Sequence, residues 1–439
     1  MLKDKKIGLI SLGCDKNRVD SERALALINE NACLTNEIEK ANVIVINSCA
    51  FLESARKEAI ETVFEVNALR EQGVLEKIVL TGCLPEKFID ELFDELVEVD
   101  VFLGFLDYDL LIEAIELSYQ NKRVNFVKKN KKVKINKRIM TTPCHYSYLK
   151  IADGCNNKCT YCLIPKIRGK YVSEPIEKLV EEAKNLGELH ELILVAQDVT
   201  RYGADLYGEI KIVELIKELS KLDNIKGIRL LYCYPDVFSK ELIEEFKAND
   251  KLIKYVDIPL QHSENAVLKR MNRRGTREDY LNLIKTLKTE ISGIAIRSTF
   301  ITGFPGETEE DFNGLVYFIK KAKLNNVGFF AYSREEETPA YKLPFQIDEE
   351  VKRQRVETLY SVQREISYSN LKTQIGKTVE VICDGIDYDK QSFYGRAYFQ
   401  APDIDGRVYF TSEQSIMQGE VYSVLIDDVD EYDLYGREV

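Results

Sequence analysis

The chain has 439 residues and carries 61 Lys and Arg against 73 Asp and Glu, a formal net charge of −12. An apolar fraction of 45% and a charged fraction of 31% are typical of a globular protein, and this length predicts two or three domains. No run of about 18 apolar residues occurs and the first apolar run, at 7–12, is too short for a signal peptide, so we expect a cytoplasmic protein without a membrane segment.

Residues 5–117 alternate between predicted strands and helices. Helical periodicity occurs at 20–31 and 54–72. Three apolar runs end in small or polar residues and are predicted strands: Lys6–Leu12, Asn42–Asn47 and Lys77–Thr81. The pattern favours an open parallel α/β sheet covered by helices.

Ten cysteines in a reducing compartment are not expected to form a disulfide framework, which leaves metal ligation, redox chemistry or packing. Cys14, Cys49 and Cys83 each follow the carboxyl end of a predicted strand, the edge where open α/β sheets bind ligands. We therefore expect a three-cysteine cluster site there. The alternative is three small buried thiols.

This region resembles the amino-terminal domain of methylthiotransferases of the ribosomal-protein type. The resemblance rests on Leu-Gly-Cys-Asp-Lys-Asn at 12–17, Val-Asp-Ser-Glu at 19–22, Asn-Ser-Cys at 47–49 and Thr-Gly-Cys at 81–83. Asp15 stands where members of this type commonly have proline. The resemblance implies that Cys14, Cys49 and Cys83 bind an auxiliary 4Fe–4S cluster.

A basic linker is predicted at 118–143, after the amino-terminal domain at 1–117. Residues 121–138 hold nine Lys and Arg and no acidic residue, so they cannot form a core. A solvated linker is favoured over a nucleic-acid contact. Thr142 and Pro143 mark the entry into the next domain.

Cys155, Cys159 and Cys162 follow the apolar run at 146–152 with the spacing Cys-x-x-x-Cys-x-x-Cys. A cubane iron–sulfur cluster normally takes four thiolates, and no fourth cysteine lies nearby, so one iron would stay open for a ligand. The alternatives are a zinc knuckle or chance cysteines in a loop. The stretch 153–169 resembles the radical S-adenosylmethionine signature, which implies a second 4Fe–4S cluster that binds and cleaves S-adenosylmethionine. It also implies that Tyr161 contacts the adenine, although a core tyrosine is equally expected.

Residues 144–370 alternate between strand and helix patterns and predict a partial (β/α) TIM-like barrel, the radical SAM core. Six strands are predicted, at 146–152, 191–196, 227–232, 255–260, 294–301 and 327–332. In such folds the chemistry lies on loops at the carboxyl ends of the strands. By resemblance, Gln197 and Asp198 hold the methionyl amino group. Five residues after the fifth strand are expected near the adenosine: Gly303, Phe304, Pro305, Gly306 and Glu307.

Turn chemistry is the alternative explanation for these loops. A lone histidine after a strand, His262, is interpreted as a hydrogen-bonded structural residue. The four remaining cysteines lack partners of matching spacing and are interpreted as inert: Cys33, Cys144, Cys233 and Cys383. No catalytic residue is predicted beyond the cluster ligands.

Residues 371–439 change to short alternating runs separated by Gly, Asp and Pro, which predicts a small antiparallel β-barrel. Four strands are predicted in it, at 378–383, 394–399, 407–410 and 421–427. The order of these runs and their position in the chain resemble those of the TRAM domain, which usually binds RNA. The segment holds six Lys and Arg against fourteen Asp and Glu, and such a surface repels phosphates. A basic protein is therefore the expected macromolecular partner, with nucleic acid not the main one; acidity that serves only solubility is the alternative.

The resemblance covers nearly the whole chain and implies methylthiolation of the β-carbon of an aspartate on small-subunit ribosomal protein 12. It implies two 4Fe–4S clusters, S-adenosylmethionine as radical source and methyl donor, and an electron donor such as a flavodoxin or ferredoxin. One alternative is a methylthiotransferase acting on a tRNA adenosine, whose usual Gly-Cys-Gln-Met-Asn opening is absent here. Another is a non-catalytic iron–sulfur electron carrier, which would favour four-cysteine sites.

Overall fold

A computed structural model describes residues 2–105, 107–120, 123–128 and 137–439. The chain packs as two compact units. The first unit comprises Met1–Thr141, Asp153–Asn157 and Cys162–Tyr171, and the second comprises Thr142–Ala152, Lys158–Tyr161 and Val172–Val439. The loop that carries the central cysteine triplet therefore contributes residues to both units.

The first unit is built on a six-stranded, all-parallel sheet with the order β2-β1-β3-β4-β5-β6. Its elements are β1 (Lys6–Ser11), α1 (Asp15–Asn31), β2 (Cys33–Leu34), β3 (Val43–Ser48), α2 (Glu53–Ala68), β4 (Lys77–Gly82), α3 (Cys83–Glu95), β5 (Val101–Leu103), α4 (Leu111–Gln120) and β6 (Val124–Phe126). All three predicted strands of this region are present, within one or two residues of their predicted bounds.

Alternate residues of β3 pack into two separate hydrophobic cores. Ile44 and Ile46 pack on one face of the sheet, and Val43 and Val45 pack on the other. A strand that is buried on both faces reads as a continuous β-branched run, as expected for a parallel sheet covered by helices. The predicted α/β class of this domain is confirmed.

The predicted linker at 118–143 overlaps this sheet. The short strand β6 pairs in parallel with β5, with Val101 opposite Val124 and Leu103 opposite Phe126. Three residues between lysines and arginines give too short a pattern to be recognised as a strand. Of the predicted linker, residues 121–122 and 129–136 lie outside the described residues.

The second unit contains an open, all-parallel sheet with the order β14-β13-β12-β11-β10-β7. Elements of the central region are β7 (Tyr146–Lys150), β8 (Ala152–Asp153), α5 (Ile164–Ile167), β9 (Val172–Ser173), α6 (Ile176–Lys184), β10 (Glu191–Val195), α7 (Ile212–Ser220), β11 (Ile228–Leu230), α8 (Lys240–Ala248), β12 (Leu252–Asp257), α9 (Asn265–Arg270), α10 (Arg277–Glu290), β13 (Ala295–Thr302), α11 (Glu309–Ala322), β14 (Asn326–Ala331) and α12 (Glu349–Lys372). The six predicted strands are all present, although β12 begins three residues earlier than the predicted run at 255–260.

The carboxyl-terminal residues form a closed five-stranded barrel with the order β15-β16-β17-β19-β18. Its strands are β15 (Thr378–Asp387), β16 (Ser392–Arg396), β17 (Val408–Thr411), β18 (Val421–Val429) and β19 (Leu434–Glu438). Four of the five pairings are antiparallel, and β17 pairs with β19 in parallel. The predicted small β-barrel is confirmed, with β19 as an additional strand.

The barrel is joined to the amino-terminal ends of the central strands. Glu191 begins β10, and its carboxylate accepts hydrogen bonds from Arg229 of β11 at 3.1 Å and from Arg396 of the barrel at 2.5 Å. Tyr255 of β12 donates to Asp405 of the barrel at 2.7 Å. The loops at the carboxyl-terminal ends of the same strands lie on the opposite side of this sheet from the barrel.

Helix α12 runs from the carboxyl-terminal ends of the central strands to their amino-terminal ends. Its first turns pack on the loop after β13, since a Cβ added to Gly303 would lie 2.3 Å from Lys352 Cγ. Its later turns donate from Gln363 and Asn370 to the Leu324 carbonyl, which precedes β14, at 3.2 Å each. The helix has 24 residues. Among the described residues, no helix combines the length and apolar character that crossing a bilayer requires.

Candidate metal centre

Three cysteines lie at the carboxyl ends of neighbouring strands in the first unit. Cys14 follows β1 and precedes α1, Cys49 follows β3, and Cys83 follows β4 and opens α3. The first two loops approach each other closely, because a Cβ added to Gly13 (φ +94°) would lie 2.8 Å from the Cys49 Cβ and 3.3 Å from its Sγ. The structure therefore brings the predicted triplet to one edge of the sheet.

The thiols of this triplet influence each other electrostatically. Burial raises the pKa of the Cys83 thiol to about 12, the charge of Arg168 lowers it, and the neighbouring Cys49 and Cys14 raise it. Burial also raises the pKa of Cys49. Because iron binds the thiolate form, loading this predicted site with iron would release protons.

Polar residues of α1 hold the loops that carry the thiols. The side-chain amide of Asn17 donates to the carbonyls of Leu12 and Ser48, both at 3.1 Å. The amide of Asn47 donates in turn to the Asn17 carbonyl at 2.9 Å and to the Ser21 hydroxyl at 2.8 Å. The polar motif after Cys14 is thus a buried scaffold that fixes two of the three cysteine loops.

A cavity of about 700 Å³ borders this site within the first unit. Its lining includes Cys14, Asp15, Arg18 and Thr141. The cavity reaches Cys14, whose thiol is exposed, but its lining does not include Cys49 or Cys83.

Backbone amides face several cysteine sulfurs. The N–H of Asn157 donates to Cys155 Sγ at 3.4 Å, and the N–H of Ile164 donates to Cys162 Sγ at 3.4 Å. The Cys49 thiol likewise accepts from the amide two residues later. Amide donors aimed at sulfur stabilise negatively charged thiolates, which is the form that binds iron.

In the second unit, Cys159 lies beside Tyr234 and Arg273. The Tyr234 hydroxyl is 2.9 Å from Cys159 Sγ, and Arg273 Nη1 is 3.9 Å from the same sulfur. The guanidinium also lies over the Tyr234 ring, 3.9 Å from its centroid. Burial raises the pKa of Tyr234, so the phenol stays neutral, and either atom could donate in its contact with Cys159.

Tyr161 packs in the second unit against aromatic residues. Its ring is 6.5 Å from that of Phe304, which is 5.1 Å from the Tyr332 ring. Phe304 and the next residue, Pro305, are buried, and Gly306 has a φ of +78°. The structure brings two predicted cofactor residues together in this cluster, and their contact with the adenosine stays a prediction.

Glu307 forms hydrogen bonds within its own loop. Its carboxylate accepts from the Gly303 N–H at 2.7 Å, from the Thr302 hydroxyl at 2.9 Å and from Arg355 at 2.8 Å, while His262 Nε2 lies 3.5 Å away. Burial alone would raise the pKa of Glu307, but His262, Thr302 and Arg355 lower it. The carboxylate is therefore ionised and holds the loop shape.

Gln197 and Asp198 follow β10, as predicted. Asp198 is fully buried and accepts from the Thr200 hydroxyl at 2.7 Å and from Arg201 Nε at 2.9 Å. These bonds shape the turn that presents both residues. Their contact with the methionyl amino group stays a prediction.

Of the four cysteines interpreted as inert, Cys233 directly precedes Tyr234, whose hydroxyl contacts Cys159. Cys233 and Cys383 are buried, whereas Cys33 and Cys144 are exposed. Sequence reasoning missed the residues that contact cluster cysteines: Arg168, Tyr234 and Arg273. Each of these residues is more than 70 positions away in the sequence from the cysteine that it contacts, so no local spacing pattern marks it.

Within the described ranges, no three His, Cys, Asp or Glu side chains converge as a single metal ion requires. A cubane cluster differs, because its cysteine sulfurs bind different irons. The triplet Cys14, Cys49 and Cys83 fits such a cluster, with three thiols at one sheet edge, the Phe51 amide bonded to Cys49 and a buried arginine charge beside Cys83.

Three segments of the chain match known families. Residues 6–104 match the uncharacterized protein family UPF0004, residues 149–319 match the radical SAM superfamily and residues 375–439 match the TRAM domain. The ribosomal protein uS12 methylthiotransferase RimO of Clostridium botulinum is 45% identical over 435 residues, 98% of this chain and 97% of that protein. The RimO of Caldanaerobacter subterraneus is 46% identical over 440 residues, 99% of this chain and 100% of that protein.

The fold is shared with solved structures of other proteins. The radical S-adenosylmethionine methyltransferase TsrM from Kitasatospora setae, solved with cobalamin and a 4Fe–4S cluster bound, gives a TM-score of 0.57 over 77% of each chain. Sequence identity is 14%, so this similarity concerns the fold alone.

Proposed function

Because this chain belongs to the ribosomal protein uS12 methylthiotransferases named RimO, we propose that it methylthiolates the β-carbon of an aspartate of small-subunit ribosomal protein 12. The chain is a radical SAM methylthiotransferase of this protein substrate. The proposal is carried by 45% identity over 98% of the chain, which includes all three matched domains.

We propose that the chain holds two 4Fe–4S clusters, an auxiliary one on Cys14, Cys49 and Cys83 and a radical-generating one on Cys155, Cys159 and Cys162. The grouping of the first triplet at one sheet edge and the amide donors to sulfur support these ligand sets. Together with S-adenosylmethionine, the bound clusters would supply hydrogen abstraction from an unactivated carbon, sulfur and the methyl group.

The chain's own residues orient these groups. We propose that Tyr161 and the loop from Gly303 to Glu307 face the adenosine, and that Gln197 and Asp198 face the methionyl amino group. Glu307 would act by holding the shape of its loop, since its carboxylate already accepts several hydrogen bonds. The Tyr234 hydroxyl would donate to Cys159 and stabilise its thiolate.

Partners follow from the chemistry. We propose that a small reducing protein such as a flavodoxin or ferredoxin donates the electron, and that the enzyme works in the cytoplasm, where ribosomal proteins are assembled. We further propose that the acidic barrel favours the basic ribosomal protein over nucleic acid as its main partner.

Iron analysis of cysteine variants tests the ligand sets. Anaerobically reconstituted protein should hold about eight irons, and alanine at Cys155, Cys159 and Cys162 should leave about four and abolish S-adenosylmethionine cleavage. Alanine at Cys14, Cys49 and Cys83 should preserve cleavage but stop product formation. Deoxyadenosine from the first triple variant would contradict the assignment. Mass spectrometry of ribosomal protein and tRNA from a deletion strain would separate this activity from the tRNA alternative.

A further inference from the structure

Arg168 lies six residues beyond Cys162 and is buried against the Cys83 thiol. Its Nε is 3.4 Å from Cys83 Sγ, and its Nη2 donates to the side-chain oxygen of Asn17 at 2.5 Å. One face of the guanidinium lies over the Phe105 ring, 4.6 Å from its centroid. All these residues belong to the first unit.

Two carboxylates balance the charge of this arginine. Its Nη1 donates to Asp153 at 2.8 Å and to Asp20 at 3.2 Å. An arginine side chain stays protonated in proteins, and Arg168 is buried, so its guanidinium is a permanent positive charge shielded from water.

The planar guanidinium gives each of its nitrogens a partner. With both terminal nitrogens bound to oxygen acceptors, the Nε–H is directed at the Cys83 sulfur. A lysine cannot reproduce this fork, because its charge sits on a single nitrogen. The contact with sulfur therefore depends on arginine and not on charge alone.

We propose that Arg168 is a positioning residue that raises the reduction potential of the auxiliary cluster through its hydrogen bond to the Cys83 sulfur. The inference rests on the proposed ligand set Cys14, Cys49 and Cys83. Reduction adds one electron from the titrant, and thus one negative charge, to the cluster. A buried cation and an N–H donor at a ligand sulfur stabilise the reduced form more than the oxidised form.

A redox titration followed by electron paramagnetic resonance tests this role. The background protein carries alanine at Cys155, Cys159 and Cys162, so that only the auxiliary cluster of about four irons remains. In that background the double variant R168Q/D153N removes the hydrogen bond and one charge of each sign. We expect the equilibrium constant for reduction to fall at least tenfold, about 59 mV for a one-electron couple.

The matched control is R138Q/E22Q, which removes another buried ion pair attached to α1 of the same unit. In this control we expect the equilibrium constant for reduction to change by less than twofold. If R168Q/D153N does not fold, R168K replaces it in the test, because lysine keeps the charge but lacks the Nε–H. R168K should still lower the equilibrium constant for reduction by more than the control does. An unchanged potential with about four irons bound would overturn the inference. Absence of iron from the background protein would instead overturn the ligand assignment, and this inference with it.

Discussion

At the scale of single residues, the Glu307 carboxylate shows how the loop after β13 is held. Its oxygens accept from the Gly303 amide and the Thr302 hydroxyl of its own loop and from Arg355 of α12. Its side chain is completely buried. A charge in such a place is stable only while these donors remain, because an unpaired buried charge costs several kcal/mol.

Glu307→Gln should therefore lower the free energy of unfolding by about 2 kcal/mol, since the neutral amide cannot accept all these bonds and leaves Arg355 less compensated. Urea denaturation measures the change. Glu309→Gln is the matched control, because Glu309 pairs with the same arginine but is 73% exposed; we expect about 0.5 kcal/mol or less. Unchanged stability with weakened S-adenosylmethionine binding would instead assign the carboxylate to the cofactor.

At the scale of elements, β10 is tied to its neighbour and to the barrel at its first residue. Burial alone would raise the pKa of Glu191, but the charges of Arg229 and Arg396 lower it to about 2. The pair with Arg396 connects the central sheet directly to β16. The Arg396 side chain also reaches Asp384 of β15 at 2.8 Å, so the ion pairs continue into the barrel.

Because the pKa of Glu191 is lower in the folded state than in the unfolded state, its contribution to stability is complete above about pH 4.5 and is lost as the pH falls toward 2. Between pH 7 and pH 3 this one group should account for about 2 kcal/mol of lost stability. Urea denaturation across this range should show that Glu191→Gln, already destabilised at pH 7, loses about that much less on acidification. Parallel pH profiles for the two proteins would contradict this assignment.

Short-range patterns predicted the elements that carry the cysteines but not the contacts that join them. The strands before Cys14 and Cys83 could be predicted because an apolar run followed by small residues is a local pattern of the sequence. Strand β19 was missed since Leu434–Glu438 places a glycine and two charged residues in five positions. The partners of Arg168 lie up to 151 residues away, and no local period encodes such a distance.

At the scale of the whole molecule, charge is unevenly distributed along the chain. Residues 371–439 carry six basic and fourteen acidic residues, while the chain as a whole has a net charge of −12. Asp430 is a structural acid of the barrel: it accepts from the amides of Tyr432 and Asp433 and from the Tyr435 hydroxyl, which shapes a turn. Asp428 and Glu431 are exposed, with a bond from the Val429 amide to Asp428 and Arg364 at 4.0 Å from Glu431. Exposed acids elsewhere on the barrel are better suited to attract a basic partner.

Charge reversal at exposed barrel acids should slow association with the ribosomal protein. D428K/E431K avoids the turn-forming Asp430 and should lower the association rate roughly tenfold at low ionic strength, with the difference shrinking as salt is added. The control E181K/E188K makes the same change of net charge on the central domain and should have little effect. Stopped-flow association at several salt concentrations measures both. Equal rates for the two variants would favour acidity that serves only solubility.

Because the barrel is the proposed contact for the ribosomal protein, helix α12 would set a minimum size for the substrate. At 1.5 Å per residue its 24 residues span about 36 Å between the loop after β13, where S-adenosylmethionine is proposed to bind, and the barrel. An extended peptide needs about ten or eleven residues to cover that distance. A shorter peptide bearing the target aspartate cannot engage both places at once, so it forgoes the effective concentration that two-point attachment provides. A folded ribosomal protein is large enough for both, and the spacer therefore favours whole proteins over fragments.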